Sequence, residues 1–329
     1  MDADPTASRL CDIGPWFPRP TEEVKMRGSR LLLASLCACV LMLVPARAMA
    51  DGNILVDWSS LLPGLTDQYD PNSANDCVSG KVKCVDATIK EMTKRFDPLA
   101  TSCDHRALFS LLYLRVTQQY RLAVDDPNYF EDNAFVNHED AVFAKYYFTP
   151  MDAYNQGNLA AVPQAWQIAL DAATKKQVTG EGDLLLGVNA HVQRDLPFVL
   201  AAIGLVKPDG TSRKPDHDKV NEILYAAYDP AITEGAQRFD PSINMTLPGP
   251  LQSLGYQTFF QAVEDWREIA WRNAERLVSA PDAASRAVVA QQIEDYASSQ
   301  AQLIKSLSPT QPTLPGQVSR DAYCASHHG

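Results

Sequence analysis

A histidine and an aspartate stand four residues apart in the most apolar helix-length segment of this chain. The segment, residues 182–205, reads GDLLLGVNAHVQRDLPFVLAAIGL and is apolar on nearly every side of a helix. His191 and Asp195 interrupt one apolar stripe and can touch, because residues four apart share a helix face. A buried polar group costs free energy unless it has a partner. We therefore predict that other helices, a ligand or a metal satisfy this pair, which is our candidate for the catalytic residues.

Other helix-length segments also contain a few polar residues within an apolar stripe. Asp140 interrupts the stripe of one such segment, and His217 shares a face with Asn221 in another. Sites in helical bundles are built from inward-facing side chains of several helices. Pro197 lacks an amide hydrogen and leaves the carbonyl of Gln193 without its helical partner, which adds a free acceptor near the pair. The supporting polar residues that we expect are Asn189, Asn221 and Arg115.

Three interpretations of this polar cluster remain open. In the first, a divalent metal such as zinc binds the imidazole nitrogens and carboxylate oxygens, and an open position holds a water for hydrolysis. The expected metal ligands are Asp140, His191, Asp195 and His217, with His138 as an alternative to His217. In the second, which needs no metal, Asp195 or Asp140 orients His191 as a general base. In the third, the same groups form a buried structural network of ion pairs and hydrogen bonds.

The charge of the chain limits its partners. It carries 29 Lys and Arg against 40 Asp and Glu, a net charge of −11 at pH 7. An acidic surface repels phosphate backbones, so we predict that the protein does not bind nucleic acid. The apolar run at residues 31–44 is too short for a good membrane span, and no second apolar run reaches membrane-spanning length. A small-molecule or lipid ligand is compatible with this composition, and no sequence feature identifies a protein partner.

The N-terminal residues have the organisation of a secretory signal. Arg27 and Arg30 precede an apolar run over residues 31–44, and the small residues around Ala50 suit a cleavage site. We predict that translation starts at Met26, that cleavage follows Ala50, and that the protein is exported to the periplasm or the extracellular space.

Four cysteines follow the predicted cleavage site. They are Cys77, Cys84, Cys103 and Cys324. An even number of cysteines in an exported protein indicates disulfides, and four cysteines allow three pairings. We favour Cys77–Cys84, which closes a short loop, together with Cys103–Cys324, which pins the C-terminal tail. A zinc site is the weaker interpretation, because the four are not arranged in two close pairs.

Apolar spacing is helical almost throughout the rest of the chain, and no stretch alternates as a half-buried strand does. We predict an all-α fold, a single-domain helical bundle around a buried central helix at about residues 182–205. The expected divisions are residues 1–50 (extension and signal), 51–84 (irregular disulfide-tied entry), 85–307 (helical domain) and 308–329 (proline-rich tail). The candidate helices are 85–96, 104–124, 132–155, 159–176, 182–205, 217–228, 230–238, 251–279 and 282–306. Asp282 follows Pro281 and is expected to cap the last of them.

Several sequence blocks resemble those of an uncharacterised bacterial family of all-helical proteins, a domain of unknown function. The most specific block, LLLGVNAHVQRDLP, fits a Gly-x-Asn-Ala-His-x-x-x-Asp-Leu pattern; LFSLLYLRVT and FVNHEDAVFAKYYF precede it, and KVNEIL and REIAWRNAERL follow. The resemblance spans about residues 104–277 and implies a helical fold but no activity. It points to Asp140, Asn189, His191, Asp195 and Asn221.

The pair is also similar to the metal-binding His-x-x-x-Asp of the zinc-dependent phospholipase C and single-strand nuclease fold, which is all-α and secreted. Arg194 stands where that fold usually has glycine, and no histidine follows soon after Pro197. The resemblance therefore implies at most a mononuclear metal site at His191 and Asp195. Our working function is a metal-dependent hydrolase of phosphoester-type bonds; the alternative is a non-catalytic helical binding protein with a buried polar network.

Overall fold

Helices account for nearly all regular structure in this protein. The computed structural model describes residues 65–244, 250–311, 313 and 316–328, with the backbone alone for 244 and 250–258. The described residues contain no strand, which confirms the predicted all-α class, and the helices pack into one compact body. The helices are α1 (Val82–Thr101), α2 (Ala107–Ala123), α3 (Asn133–Asn155), α4 (Gln164–Thr174), α5 (Gly180–Val188), α6 (Leu196–Ile203), α7 (Lys214–Arg238), α8 (Pro250–Ser279), α9 (Ala283–Leu307) and α10 (Arg320–His327). The predicted signal and start at Met26 lie outside these residues.

The predicted central helix is present, but its middle turns are wider than those of an α-helix. A π-helical segment, Asn189–Asp195, joins α5 to α6 without interruption. Pro197 follows directly and cannot supply an amide to the preceding turn. In a π-helix the backbone hydrogen bonds run from i to i+5, which widens each turn. This segment packs against α3, α4, α8 and α9, so four other helices surround it.

Helix starts follow local capping rules where the sequence supplies a capping side chain. Asp282 accepts a hydrogen bond from the backbone N–H of Ser285 at 2.7 Å, so the predicted cap of α9 is confirmed. Asp132 caps α3 in the same way through Phe135 at 3.0 Å. An N-cap carboxylate satisfies an amide that the helix itself leaves unpaired. The start of α3 is important because this helix carries Asp140.

The predicted break between residues 228 and 230 is wrong, because α7 continues through Pro230. A proline inside a helix frees the carbonyl four residues earlier, here that of Ala226. Both Ala226 and Pro230 are exposed, so water can bind the freed carbonyl. A single long helix therefore forms one wall of the site described below.

The C-terminal tail contains a helix that the sequence analysis did not predict. Helix α10 lies inside the predicted proline-rich tail at residues 308–329, and Ser319 caps it through the N–H of Ala322. The disulfide Cys103–Cys324 ties this helix to the turn before α2, and the second disulfide, Cys77–Cys84, closes the segment before α1. The chain end is therefore covalently bound to the bundle.

Candidate functional site

Asp195 holds His191 in a fixed orientation inside the bundle. The side chains are 0% and 4% exposed, and Nδ1 of His191 lies 3.0 Å from Oδ2 of Asp195. Trp166 of α4 donates its indole N–H to the same oxygen at 2.8 Å, and Arg194 donates to Oδ1 at 2.9 Å. Arg194 also pairs with Glu294 of α9. Both oxygens of Asp195 are thus occupied by protein donors.

The second ring nitrogen of His191 is available. Nε2 is buried and has no hydrogen-bond partner among the described residues. Burial lowers the pKa of His191, and the hydrogen bond to Asp195 opposes this only in part. The imidazole is therefore neutral at pH 7, with the proton on Nδ1 facing Asp195 and a lone pair on Nε2. The ring of Phe143 stacks flat on the imidazole, with ring centroids 3.6 Å apart.

His191 lines a cavity of about 130 Å³, which we call the central cavity. Its wall comes from α2, α3, the central helix, α7 and α8, and it consists mainly of aliphatic and aromatic side chains. An apolar cavity of about 150 Å³ can hold a benzene-sized molecule. The side chains of the wall that carry a polar group are Tyr113, Thr117, Tyr120, Tyr228, Glu139, Asp140, His191 and Arg267.

Two neighbouring acids of α3 lie in this wall. Burial, and then the charge of Glu139, raise the pKa of Asp140 to about 8. Burial raises the pKa of Glu139 to about 7, although Arg267 opposes the shift. Oδ2 of Asp140 is buried and finds no hydrogen-bond partner in the part of the chain that the structure describes. Both acids are partly buried and line the central cavity.

We expect Asp140→Asn to change how stability depends on pH. The raised pKa means that the folded protein keeps a proton that the unfolded chain loses above about pH 4. Wild-type stability should therefore fall with a slope of about 1.4 kcal/mol per pH unit from this group, and level off above about pH 8. The variant lacks this slope and should be the more stable protein at alkaline pH. Urea unfolding from pH 5 to pH 9 measures the difference.

Glu139 titrates in the same direction and remains in the variant, so the informative window lies between pH 7 and pH 8. There the wild type should lose stability more steeply than the variant, in which only Glu139 still titrates. Asp229→Asn, at an exposed position of α7, is the matched control and should follow the wild type. Parallel curves for the wild type and Asp140→Asn would contradict the burial of this acid.

His217 does not join His191 and Asp140. It is buried between α7 and α8, where its Nε2 lies 3.3 Å from the carbonyl oxygen of Arg267, and Arg267 donates to the carbonyl of His217. Burial and then the charge of Arg267 hold the pKa of His217 well below its usual range. His217 therefore orders the helix that carries Arg267 and lies outside the cavity wall.

His138 is buried elsewhere too. Its two ring nitrogens lie 2.9 and 3.0 Å from the carbonyl oxygens of Cys77 and Asp67. These contacts attach the segment before α1 to α3 and leave no ring nitrogen for the cavity.

The expected metal ligands are therefore not gathered around one point. Within the described residues, a single group of three potential ligands is close enough to share an ion, and it consists of Cys103, Cys324 and His328. The two cysteines form a disulfide, so their thiolates are not available. At the predicted site, the structure brings together His191 with Asp195, and places Asp140 in the same cavity wall.

The supporting polar residues have separate roles. Asn189 donates to the carbonyl of Ala297 in α9 at 2.9 Å and accepts from Gln193 at 2.8 Å. Arg115 forms a two-bond ion pair with Glu234 of α7, at 2.6 and 2.7 Å. Asn221 has a buried amide oxygen without a partner among the described residues, but it does not line the central cavity. Asn189 and Arg115 therefore fasten helices to one another.

Sequence reasoning missed several residues that complete the site. Trp166 binds Asp195 across 29 positions of chain, Tyr113 lies 4.6 Å from the His191 ring by centroids, and Arg267 enters the cavity wall from α8. No spacing rule within a single helix relates these residues to the pair. Phe143 could have been predicted from the sequence, because it belongs to the apolar stripe that contains Asp140.

The fold and the cavity define an all-α protein with a mainly apolar pocket and two disulfides, which are consistent with export. Over residues 85–307 the chain matches the model of a family described as a family of unknown function, DUF5995, and it belongs to this family. No match was found among curated proteins or among solved structures. Within the described residues, no helix has the length and apolar character needed to cross a membrane.

Proposed function

We propose that the central cavity binds a small, mainly apolar molecule through one polar group placed against His191 and Asp140. The observation that carries this proposal is the buried Nε2 of His191, which lines an apolar cavity and lacks a partner among the described residues. Ligand pockets typically combine an apolar wall with a few convergent polar groups. This arrangement fits such a pocket, in a protein exported through the signal predicted at residues 26–50.

The free-energy cost of buried polar groups without partners favours a bound ligand over a purely structural role for these residues. A buried polar group without a partner costs about 1–3 kcal/mol. His191 and Asp140 both have such an atom in one cavity wall, whereas Asp195 beside them is fully paired within the protein. A ligand with a polar head would recover part of this cost, while its apolar body would bury the aliphatic and aromatic wall.

Acid–base catalysis at His191 is a second candidate, supported by a specific geometry. Asp195 fixes the tautomer in which Nδ1 carries the proton, and Nε2 faces the cavity as a free base. A carboxylate plays this same orienting role for a catalytic histidine. A metal-dependent hydrolase receives less support, because Asp195 is saturated by Trp166 and Arg194 and because His217 lies elsewhere. The similarity to the phospholipase and nuclease fold stays a prediction.

Titration with 2-phenylethanol tests the binding function. We expect saturable one-to-one binding by calorimetry, together with a change in the 15N resonance of Nε2 of His191 when it accepts a hydrogen bond from the hydroxyl group. Val263→Phe places a ring into the cavity wall and should weaken binding at least about tenfold, a loss of about 1.4 kcal/mol.

Val288→Phe is the matched control, because Val288 is 57% exposed on α9 and the same added ring does not reach the cavity. It should bind as the wild type does. Equal affinity of the two variants, or a wild type that binds neither this alcohol nor its hydrocarbon, amine and acid analogues, would overturn the proposal.

A further inference from the structure

We propose that the ligand of the central cavity carries an unbranched alkyl chain, and that the end of this chain lies in a second, smaller cavity. This inference rests on the proposed binding function and specifies the shape of its ligand. It follows from the residues that line both cavities, from the order of the cavities along the helices and from the aliphatic wall of the second one.

The second cavity, which we call the side cavity, has a volume of about 50 Å³. Its wall shares four residues with the central cavity, and these are Leu112, Val188, Tyr228 and Phe259. They come from α2, α5, α7 and α8. The rings of Tyr228 and Phe259 pack against each other, with centroids 4.7 Å apart. The two cavities therefore meet at one layer of side chains, which we call the boundary layer.

The order of residues along α7 and α8 places the two cavities end to end. Leu224, Tyr228 and Ile232 are four apart and share one face of α7. Leu224 lines the central cavity, Tyr228 belongs to the boundary layer, and Ile232 lines the side cavity. On α8, Phe259 belongs to the boundary layer and Val263, one turn later, lines the central cavity. A ligand lying along these helices can therefore enter both cavities.

The central helix passes both cavities and indicates their combined length. Leu184 lines the side cavity alone, Val188 lines both, and His191 lines the central cavity. At a rise of about 1.5 Å per residue, Leu184 and His191 are about 10 Å apart along the helix axis. An extended octyl chain is of similar length. A ligand with its polar group against His191 can therefore reach Leu184 with the end of such a chain.

The wall of the side cavity suits the end of an alkyl chain. The residues that line it alone are Glu181, Leu184, Leu185, Ile232 and Ile243. Four of these five are aliphatic, whereas the central cavity has many aromatic side chains. Glu181 is exposed, which places the outer end of the side cavity at the protein surface. A methyl-ended chain buries apolar surface in such a wall and brings no polar group that needs a partner.

The volumes of the two cavities set the expected chain length. An apolar cavity of about 150 Å³ binds benzene, which corresponds to about 25 Å³ for each carbon atom. On this scale the central cavity takes about five carbons, and the side cavity adds about two. A chain that also crosses the boundary layer has about eight carbons, in agreement with the distance from His191 to Leu184.

Calorimetric titration with butan-1-ol, hexan-1-ol and octan-1-ol tests the inference, with 2-phenylethanol as the compact probe. Each added CH₂ group that becomes buried should tighten binding to the wild type about fourfold, which is about 0.8 kcal/mol. Octan-1-ol should therefore bind about fifteenfold more tightly than hexan-1-ol. Other apolar surfaces would also favour the longer alcohol, so variants of the side cavity are needed to locate the chain.

Leu185→Phe places a ring in the side cavity, because Leu185 lines that cavity and not the central one. The variant should bind octan-1-ol at least about tenfold more weakly than the wild type, a loss of about 1.4 kcal/mol. Ile232→Phe enters the same space from α7 and should act alike. Both should bind butan-1-ol and 2-phenylethanol as the wild type does, which also shows that they are folded.

Leu303→Phe is the matched control, because Leu303 is 50% exposed on α9 and lines neither cavity. It should bind octan-1-ol as the wild type does. Equal affinity of the wild type for hexan-1-ol and octan-1-ol, or an unchanged preference for octan-1-ol in both side-cavity variants, would overturn the alkyl chain. With 2-phenylethanol still bound, either result leaves the binding function standing. A wild type that binds neither 2-phenylethanol and its analogues nor any of the alkanols would overturn both.

Discussion

Asp195→Asn should lower the free energy of unfolding by about 3–5 kcal/mol, the cost of breaking a buried charged pair by removing one partner. The wild-type carboxylate accepts from Trp166 and His191 on one oxygen and from Arg194 on the other. An amide has one oxygen and one NH₂ group. In either orientation the NH₂ group therefore faces at least one N–H donor of the protein and finds no acceptor there. Urea unfolding at pH 7 measures the loss.

In Asp195→Asn the guanidinium of Arg194 keeps its ion pair with Glu294. Because the guanidinium retains one carboxylate, the variant should still fold, and its imidazole should lose the fixed tautomer, which 15N shifts of His191 report. Asp229→Asn should change stability by less than about 0.5 kcal/mol, as expected for an exposed site. A loss below about 1 kcal/mol for Asp195→Asn would show that the pair is not held away from water.

The burial of His191 and Asp195 could be predicted because the surrounding positions are apolar at every helical spacing. The same local reasoning predicted the extent of α3 to within one residue, and the cap of α9 at Asp282. These features depend on side chains that interact within about four positions of chain. Sequence periodicity and capping chemistry report such interactions directly.

The composition of the site could not be predicted in the same way. Trp166 and Arg267 reach it from α4 and α8, and their positions depend on how those helices pack. His217 has the residue type and helical placement expected of a ligand, yet the packing of α7 on α8 turns it toward the carbonyl of Arg267. The π-helical turn at residues 189–195 is also a product of packing, since Pro197 alone predicts only one missing hydrogen bond.

The tail illustrates the same limit. The prolines among residues 309–315 led to the prediction of a proline-rich tail, and nothing local indicated that α10 would dock on the bundle. Its position comes from Cys324 and from two polar residues, Arg320, which donates to Asp183 and His105, and Asp321, which lies 2.9 Å from His105. These contacts join positions more than 130 residues apart, so they appear only in the folded protein.

The covalent bond to α10 should have the largest single effect on stability. Cysteines 103 and 324 are separated by 221 positions, so their disulfide removes much of the conformational freedom of the unfolded chain. On the chain-entropy model, Cys103→Ser with Cys324→Ser should lower the free energy of unfolding by about 5 kcal/mol. The unfolded state also expands, so the dependence of stability on urea concentration should become steeper.

The second disulfide provides a matched control within the same chain. Cysteines 77 and 84 are only seven positions apart, so Cys77→Ser with Cys84→Ser should cost about 2 kcal/mol and hardly change the urea dependence. If both double variants lose the same stability, the contribution of Cys103–Cys324 is not set by loop length.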